Sequence, residues 1–368
     1  MSSIQIALGP RSYKIHFGEE AGRGLRDLLA ERIGKGDRVA VITDENVWAA
    51  LKDGLDGIFP DGCCLMILPP GETTKSMQHL SQVFNFLAES GVDRGSLVVA
   101  VGGGVIGDLS GFAAASFMRG IDFVQVPTSL LAMVDSSVGG KTGINIPAGK
   151  NLVGAFHQPI GVYSDPRWLG TLPKREFTAG MAEVIKYGLI RDRGLFDELE
   201  AEPMLDGSDE RLERIVLRCC EIKGLVVEED ERESAATGGR MILNFGHTFG
   251  HAIEAVAGYG VFLHGEAVGL GMVLAARLSH RVGLIQAAEA ARIAKVIEGH
   301  GLPTKLPSKY PVEALLAAMM RDKKWRSFTS KFVVLAAIGT AITRDDVGLD
   351  LVSTLLREAG ASEVGVVV

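Results

Sequence analysis

The sequence predicts two domains of different class: an α/β domain on a mainly parallel sheet over residues 1–172, and a mainly helical, all-α domain over residues 173–368. Three observations lead there. Strand-like and helix-like signals alternate up to about Thr171, the pattern of a parallel sheet covered on both faces. Beyond it, long amphipathic runs dominate. A chain of 368 residues also exceeds what one ordinary core accommodates.

In chain order, Ile4 to Ile6 and Tyr13 to Phe17 read as a short hairpin. Arg38 to Thr43 is a compact β-branched run ending at Asp44-Glu45-Asn46, and Leu65 to Leu68 is a second one before Pro69-Pro70-Gly71. Ser76 to Glu89 has helical spacing, with Leu80, Val83, Phe84 and Leu87 on one stripe. Leu97 to Val101 is a buried-strand run, followed by three glycines, a helix over Gly107 to Arg119, and a strand over Phe123 to Val126. The second half reads as helices over Glu176–Arg191, Leu212–Glu228, Leu243–Ala257, Gly265–Val282, Ala287–His300 and Val312–Arg321, with one late strand at Phe332–Ala336.

Composition narrows the class of function. A formal charge of −7, with no stripe of Lys and Arg interleaved with aromatics, argues against a nucleic-acid surface. Lysines nevertheless gather inside the glycine-rich motifs, at Lys75, Lys141, Lys150 and Lys186, which suggests a small anionic ligand. The four cysteines fall in two adjacent pairs without zinc or disulfide spacing, so a reducing compartment is expected. The start of the chain lacks a signal pattern and no apolar run reaches the ~20 residues that span a bilayer. A cytoplasmic protein with no membrane partner is the expectation.

Gly102-Gly-Gly-Val-Ile-Gly-Asp108 satisfies G-x-G-x-x-G between a strand and a helix, where glycines let a pyrophosphate approach backbone N–H groups. Alone the match is weak, since a triple glycine also suits a packing turn and the motif follows a third or fourth strand where the usual site follows the first. Asp44 and Asn46, closing an earlier strand, are candidates for the ribose and adenine end. The polar run from Ser129 to Asn145 carries Gly-Gly-Lys-Thr without the G-x-x-x-x-G-K-[ST] spacing, which argues against triphosphate hydrolysis.

Residues 244–268 hold three of the eight histidines. His247 and His251, four apart, project from one helix face, and a glycine turn at Gly258-Tyr259-Gly260 could return His264 beside His247. With a carboxylate from elsewhere they would suit a catalytic zinc. The competing reading is a set of hydrogen-bonded core histidines, because His-Thr-Phe-Gly-His lacks the Glu that follows the first His in the zinc-protease helix. Glu183 and Lys186 share one face of an apolar helical run, either as a surface ion pair or as a partly buried functional one.

The blocks GETTK at 71–75, GGGVIGDLSGFAAASFMRG at 102–120, PTSLLAMVDSSVGGKTGIN at 127–145, GKNLVGAFHQP at 149–159, AGMAEVIKYGLI at 179–190, NFGHTFGHAIEA from 244 and LHGEAV from 263 resemble the 3-dehydroquinate synthase family through nearly the whole chain. The resemblance implies an N-terminal Rossmann-like NAD-binding domain, a C-terminal metal-binding helical domain, an active site between them and a homodimer. It assigns Zn2+ or Co2+ to Glu183, His247 and His264, and makes His251 a proton-handling residue. It assigns NAD to Asp44, Asn46, Glu72, Lys75, Gly103, Gly104, Val105, Asp108, Thr128, Ser129, Lys150, Thr171 and Leu172. Substrate falls to Asp135, Lys141, Asn151, Lys186, Lys223, Arg240, Asn244, His251 and the Lys323-Lys324 pair, with Arg119 reaching into the neighbouring subunit.

The implied reaction turns 3-deoxy-D-arabino-heptulosonate 7-phosphate into 3-dehydroquinate and phosphate through transient oxidation by NAD, phosphate elimination, re-reduction and intramolecular aldol closure. One departure stands out. The family run KAxVVxxDERExGxR is three residues longer here, with Ser-Ala-Ala-Thr-Gly-Gly between Glu233 and Arg240, so Lys223 and Arg240 share a carboxylate only if the extra residues bulge out. The rival readings are a related sugar-phosphate cyclase, a metal-dependent polyol dehydrogenase, and a non-catalytic binding protein on the same scaffold. Retention of Lys223, Arg240, Asn244 and the Lys323-Lys324 pair favours a substrate with a carboxylate.

Overall fold

The computed structural model describes residues 3–55, 57–235, 238–258, 260–307, 310–321, 325–326 and 329–362. They form two compact units, the first of residues 1–173 and 207–232, the second of 174–206 and 233–368.

The first unit carries strands β1 (Ser3–Ile6), β2 (Tyr13–Phe17), β3 (Val39–Asp44), β4 (Cys63–Leu68), β5 (Leu97–Gly102), β6 (Asp122–Pro127), β7 (Lys141–Ile146), β8 (Gly149–Phe156) and β9 (Gly161–Ser164). Its helices are α1 (Glu19–Gly34), α2 (Glu45–Leu51), α3 (Met77–Glu89) and α4 (Gly104–Ser116). Seven strands make one sheet in the order β1-β2-β9-β6-β5-β3-β4. The expected hairpin forms its antiparallel edge, with Ile4 opposite Ile15, and every other pairing is parallel. β5 is buried along its whole length, as its unbroken Leu-Val-Val-Ala-Val run requires. Ala40, Ile42, Val98, Ala100 and Phe123 of the sheet pack with Leu80, Val83 and Leu87 of α3 and Ile106, Leu109 and Ala113 of α4.

The chain steps from β3 outward to β4, then returns to lay β5 on the other flank of β3. The order therefore reverses between β3 and β5, and the ends of those two strands, Asp44 and Gly102, flank the switch point where open α/β sheets bind ligands. The triple glycine thus needs no place after the first strand of the chain.

One sequence expectation changes in this unit, and a hairpin falls where none was expected. The helix expected from Gly107 begins at Gly104, because glycines tolerate an uncapped first turn, and it stops at Ser116 where Met118 and Arg119 take left-handed φ values of 50° and 67°. The polar run Ser129–Asn145, to which no strand was assigned, contains one. It winds through a turn at Ala132–Ser136 into β7, which pairs antiparallel with β8.

In the second unit the chain forms α5 (Lys174–Ile190) and α6 (Arg193–Ala201), then returns to the first unit as α7 (Leu212–Glu229), whose apolar face packs on β1 and the Ala132–Ser136 turn. Back in the second unit follow α8 (His247–Ala257), α9 (His264–Arg281), α10 (Ala287–Gly299), α11 (Val312–Arg321), β10 (Trp325–Arg326), β11 (Thr329–Ser330), β12 (Phe332–Ala337), β13 (Thr340–Arg344) and α12 (Leu349–Glu358). The expected late strand is present and pairs with β13 as a hairpin. The helix expected from Leu243 starts at His247, since Gly246 sits at φ 81° and Gly239–Asn244 forms a separate 3-10 turn. No helix among the described residues is long and apolar enough to cross a membrane.

α9 is the central helix of this unit and approaches its neighbours backbone to backbone. A Cβ on Gly265 would lie 1.8 Å from the Ala179 carbonyl oxygen of α5, and one on Gly271 would lie 2.0 Å from the Gly246 carbonyl oxygen. Neither neighbour is a side chain that can swing aside. Gly265→Ala is expected to lower stability in urea by about 3 kcal/mol, the upper end of overpacking penalties. Gly170→Ala, where a Cβ meets nothing within 4 Å, is expected to change it by less than about 0.5 kcal/mol. Equal midpoints for the two variants would contradict the packing argument.

Candidate functional site

At the switch point of the first unit, the Asp44 side chain caps α2 by accepting from Val47 N at 3.0 Å, and Asn46 is exposed on the first turn of that helix. Burial raises the Asp44 pKa, against the lowering pull of the Val47 and Asn46 backbone N–H groups. Across the crevice, α4 starts at Gly104 with Gly103 at the cap position and no side-chain cap. Its first helical hydrogen bond runs from Gly107 N to Gly103 O, so the N–H groups of Gly104, Val105 and Ile106 precede the ladder, as at an anion-binding helix start.

Thr128 N donates to Gly102 O at 3.0 Å, which brings Ser129 against the glycines. A Cβ on Gly103 would stand 3.4 Å from Ser129 Oγ, and one on Gly104 would stand 3.1 Å from Ser136 Oγ. Thr171 and Leu172 lie at the end of the 3-10 helix Pro166–Thr171.

One network joins several of the remaining residues. The ammonium of Lys75, 5% exposed, contacts both the Asp108 carboxylate on α4 and Asn151 Oδ1 on β8. Burial raises the Asp108 pKa, and Lys75 opposes that shift without cancelling it. Asn151 takes φ 53°, and its N–H donates at 2.9 Å to Asn145 Oδ1, whose own amide donates at 2.7 Å to Glu72. Lys150 precedes Asn151 on β8, and Lys141 is exposed at the start of β7. Lys223 of α7, 4% exposed, donates to Asp135 Oδ1 at 2.7 Å and to the Asp135 carbonyl. Arg119 is exposed on its left-handed turn.

The second unit gathers the histidines. Glu183 and Lys186 lie on α5 and are 0% and 1% exposed, in direct contact with each other, which excludes the surface ion pair. His247 Nε2 is 3.5 Å and His264 Nε2 3.9 Å from Glu183 Oε1, an oxygen that accepts no hydrogen bond among the described residues. One ligand atom from each of the three lies within 4.8 Å of the others. His247 Nδ1 faces Phe245 O at 3.2 Å, so its Nε2 keeps the lone pair that points at the carboxylate. A buried acid with an unmatched oxygen and two imidazoles turned toward it suits a divalent ion better than three core residues would. The core-histidine reading does not account for that oxygen.

His251 stands edge-on to His247, with ring centroids 5.4 Å apart, and 6.0 Å from His264. Arg240, 2% exposed, and Asn244 come from the 3-10 turn before α8, and Asn244 Nδ2 donates to Glu233 Oε1 at 3.0 Å. Lys223 belongs to the first unit and Arg240 to the second, with the longer segment between them. Lys323 and Lys324 lie outside the described residues.

Sequence reasoning passed over four residues that this arrangement uses. Arg175 of α5 grips Glu266 through two hydrogen bonds of 2.7 and 2.8 Å, while Glu266 accepts from Leu263 N at 2.8 Å, pinning the first turn of α9 where His264 sits. Glu233 holds Asn244, and Glu254 faces His264. A Glu three residues after a helix cap was the legible sign for Glu266.

Two solved structures share this fold. A 2-deoxy-scyllo-inosose synthase complexed with carbaglucose-6-phosphate, NAD+ and Co2+ matches 97% of this chain and 100% of its own at a TM-score of 0.86 and 27% identity. The 2-epi-5-epi-valiolone synthase of Streptomyces hygroscopicus subsp. jinggangensis, with NAD+ and Zn2+ bound, matches 96% and 98% at 0.85 and 28%. The class defined by fold and site is thus that of the dehydroquinate-synthase-like synthases. Within it, residues 65–179 match the 3-dehydroquinate synthase N-terminal family and residues 180–325 the C-terminal family. A 3-dehydroquinate synthase of Opitutus terrae is 54% identical over 361 residues, 98% of this chain and 99% of that protein. The chain belongs to the 3-dehydroquinate synthase family.

Lys186 is the cation in contact with the buried Glu183 carboxylate, so its removal leaves a charge stranded in the interior. Lys186→Ala is expected to destabilise the metal-free protein by about 3–5 kcal/mol in urea melts, and Glu183→Gln/Lys186→Met by less than the single change. A single variant as stable as the parent would contradict this.

Proposed function

We propose that this chain converts 3-deoxy-D-arabino-heptulosonate 7-phosphate to 3-dehydroquinate and phosphate. The observation that carries the reading is the convergence of two imidazole Nε2 atoms on one unmatched oxygen of the buried Glu183. In this reading Glu183, His247 and His264 hold Zn2+ or Co2+, and NAD lies at the switch point between Asp44 and the Gly103–Val105 turn. The domains of the proposal are residues 1–172 for NAD and 173–368 for metal and substrate, with α7 contributing Lys223 to the first compact unit.

When bound, the metal supplies a Lewis acid at vicinal hydroxyls and NAD a reversible hydride acceptor. The protein does the rest. Backbone N–H groups of Gly104 and Val105 and the ammonium of Lys75 take the cofactor's phosphates. The resemblance gives the substrate carboxylate to Arg240 and Lys223, and a further substrate contact to Asn244. The resemblance gives the phosphate end to Lys141, Asn151 and the Lys323-Lys324 pair, and Lys150 to the cofactor. Lys186 stays beside Glu183 and faces a substrate hydroxyl. His251, within one ring of both metal-assigned histidines, takes the proton of the ring hydroxyl, and Asp135 orients Lys223. Holding one pose through successive steps supplies much of the rate.

The related cyclases remain the second reading, supported by the fold alone at 27–28% identity. The 54% identity to a 3-dehydroquinate synthase and the retained Lys223, Arg240 and Asn244 favour the carboxylate substrate.

Incubation with the heptulosonate phosphate is expected to release phosphate in a metal-dependent manner with no lasting rise in NADH absorbance. Steady NADH accumulation would point to a polyol dehydrogenase, and full activity after chelation would contradict the metal's role.

We further propose a cytoplasmic homodimer in which the partner's Arg119 completes the phosphate site. Mixing inactive Arg119→Ala and His251→Ala subunits is expected to restore roughly a quarter of parental turnover, since half the dimers are mixed and each carries one intact site. No recovery in verified mixed dimers would count against the shared site.

A further inference from the structure

We propose that Glu254 is a positioning residue for the metal centre: it accepts a hydrogen bond from His264 Nδ1 and so fixes the ring and the tautomer that presents Nε2 to Glu183. This rests on the metal reading above and adds a residue to it. Glu254 lies on α8 seven positions after His247, two helical turns on and therefore on the same face. It is 8% exposed, and its Oε2 stands 3.3 Å from His264 Nδ1.

An imidazole has two nitrogens on opposite sides of the ring, and here each has its own carboxylate. Nδ1 meets Glu254 Oε2, and Nε2 meets Glu183 Oε1 at 3.9 Å. His247 is arranged in the same sense, with Nδ1 on the Phe245 carbonyl and Nε2 toward Glu183. The two histidines thus use different acceptors to reach the same outcome. A carbonyl fixes the one at the entrance of α8, and a carboxylate fixes the one that is 32% exposed in its side chain and less confined by packing. A carboxylate behind an imidazole holds the tautomer and makes the other nitrogen a stronger donor.

His251, Glu254 and His264 also offer atoms within 4.8 Å of one another, so the rival arrangement is Glu254 as a direct ligand of an ion at that second group. The depth of Glu183, at 0% exposure, and its unmatched oxygen favour the first group as the metal position and Glu254 as the support behind it.

The test is Zn2+ affinity by competition with a chromophoric chelator, with Co2+ absorption as a second readout, on the full chain. The parent is expected to bind one equivalent, and Glu183→Ala to lose it. Glu254→Ala should bind about 10–100-fold more weakly, with altered Co2+ bands, and Glu254→Gln, which keeps an acceptor oxygen, should lie between. The metal-free melting midpoint of Glu254→Gln should match the parent's. Parental affinity and Co2+ bands in Glu254→Ala would overturn the inference while leaving the metal site standing. Loss of metal in Glu254→Gln with retention in Glu183→Ala would overturn it in favour of a direct ligand. A lower metal-free midpoint in Glu254→Gln that accounts for the weaker binding would reduce Glu254 to a packing role. A parent that binds no metal would instead remove the functional reading beneath it.

Discussion

The arrangement of the helical unit depends on how closely α9 can lie against the backbones around it. Ala179 and Glu183 are one turn apart on α5, Gly265 follows His264 at the start of α9, and Gly246 precedes His247 at the start of α8. The two tightest backbone approaches, Gly265 to Ala179 and Gly271 to Gly246, therefore fall beside the three side chains that converge. Any residue with a Cβ at those glycines would push the helices apart, and a ligand set a few ångströms across has no tolerance for that. The glycines of this region serve the convergence of Glu183, His247 and His264 through packing. Arg175 and Glu266 add a polar clamp at the same end of α9, so the first turn of that helix is held from two sides.

Burying Glu183 completely is unfavourable by itself, and the chain offsets it with Lys186 one turn along the same helix. The carboxylate turns one oxygen toward the lysine and the other toward two imidazoles, so both of its faces meet polar groups. The three side chains are already turned toward one another, so aligning them carries little further ordering cost. The same logic explains why an acidic chain keeps lysines in its interior: Lys75, Lys186 and Lys223 are each at most 5% exposed, and each contacts a carboxylate, of Asp108, Glu183 and Asp135.

Much of this was legible before the structure. Alternation of strand and helix gave the α/β unit, and amphipathic runs located the main helices of the second half to within a few residues, because those signals are local. The ligand trio was half legible. The spacing of His247 and His251 is a helix-face relation, but the choice of His264 over His251 as the second imidazole near Glu183 came from the family resemblance, since ring orientation is set by Phe245 and Glu254 across a tertiary fold. Sheet order was out of reach of the sequence. The placement of the glycine turn after a later strand counted against it only because the reversal between β3 and β5 is a property of the whole sheet. The hairpin β7–β8 was missed for a related reason: its glycines interrupt any strand pattern, yet Gly143 and Gly154 let two strands approach so closely that a Cβ on Gly154 would lie 2.1 Å from Thr142 O.

The buried lysine–carboxylate pairs also bear on discrimination among ligands. An anion that takes one of these ammonium groups must displace or share it with a carboxylate already in place, and full displacement leaves that buried acid without its counter-charge whatever the charge density of the newcomer. A neutral polyol of the same size offers no such replacement, so it binds with the pairs intact and gains little from them. An anion gains from them only where it shares the ammonium and the carboxylate stays in place. The cost of burying these charges is offset within each pair, so each lysine is held in position before a ligand arrives, and a ligand that strips it of its acid is penalised.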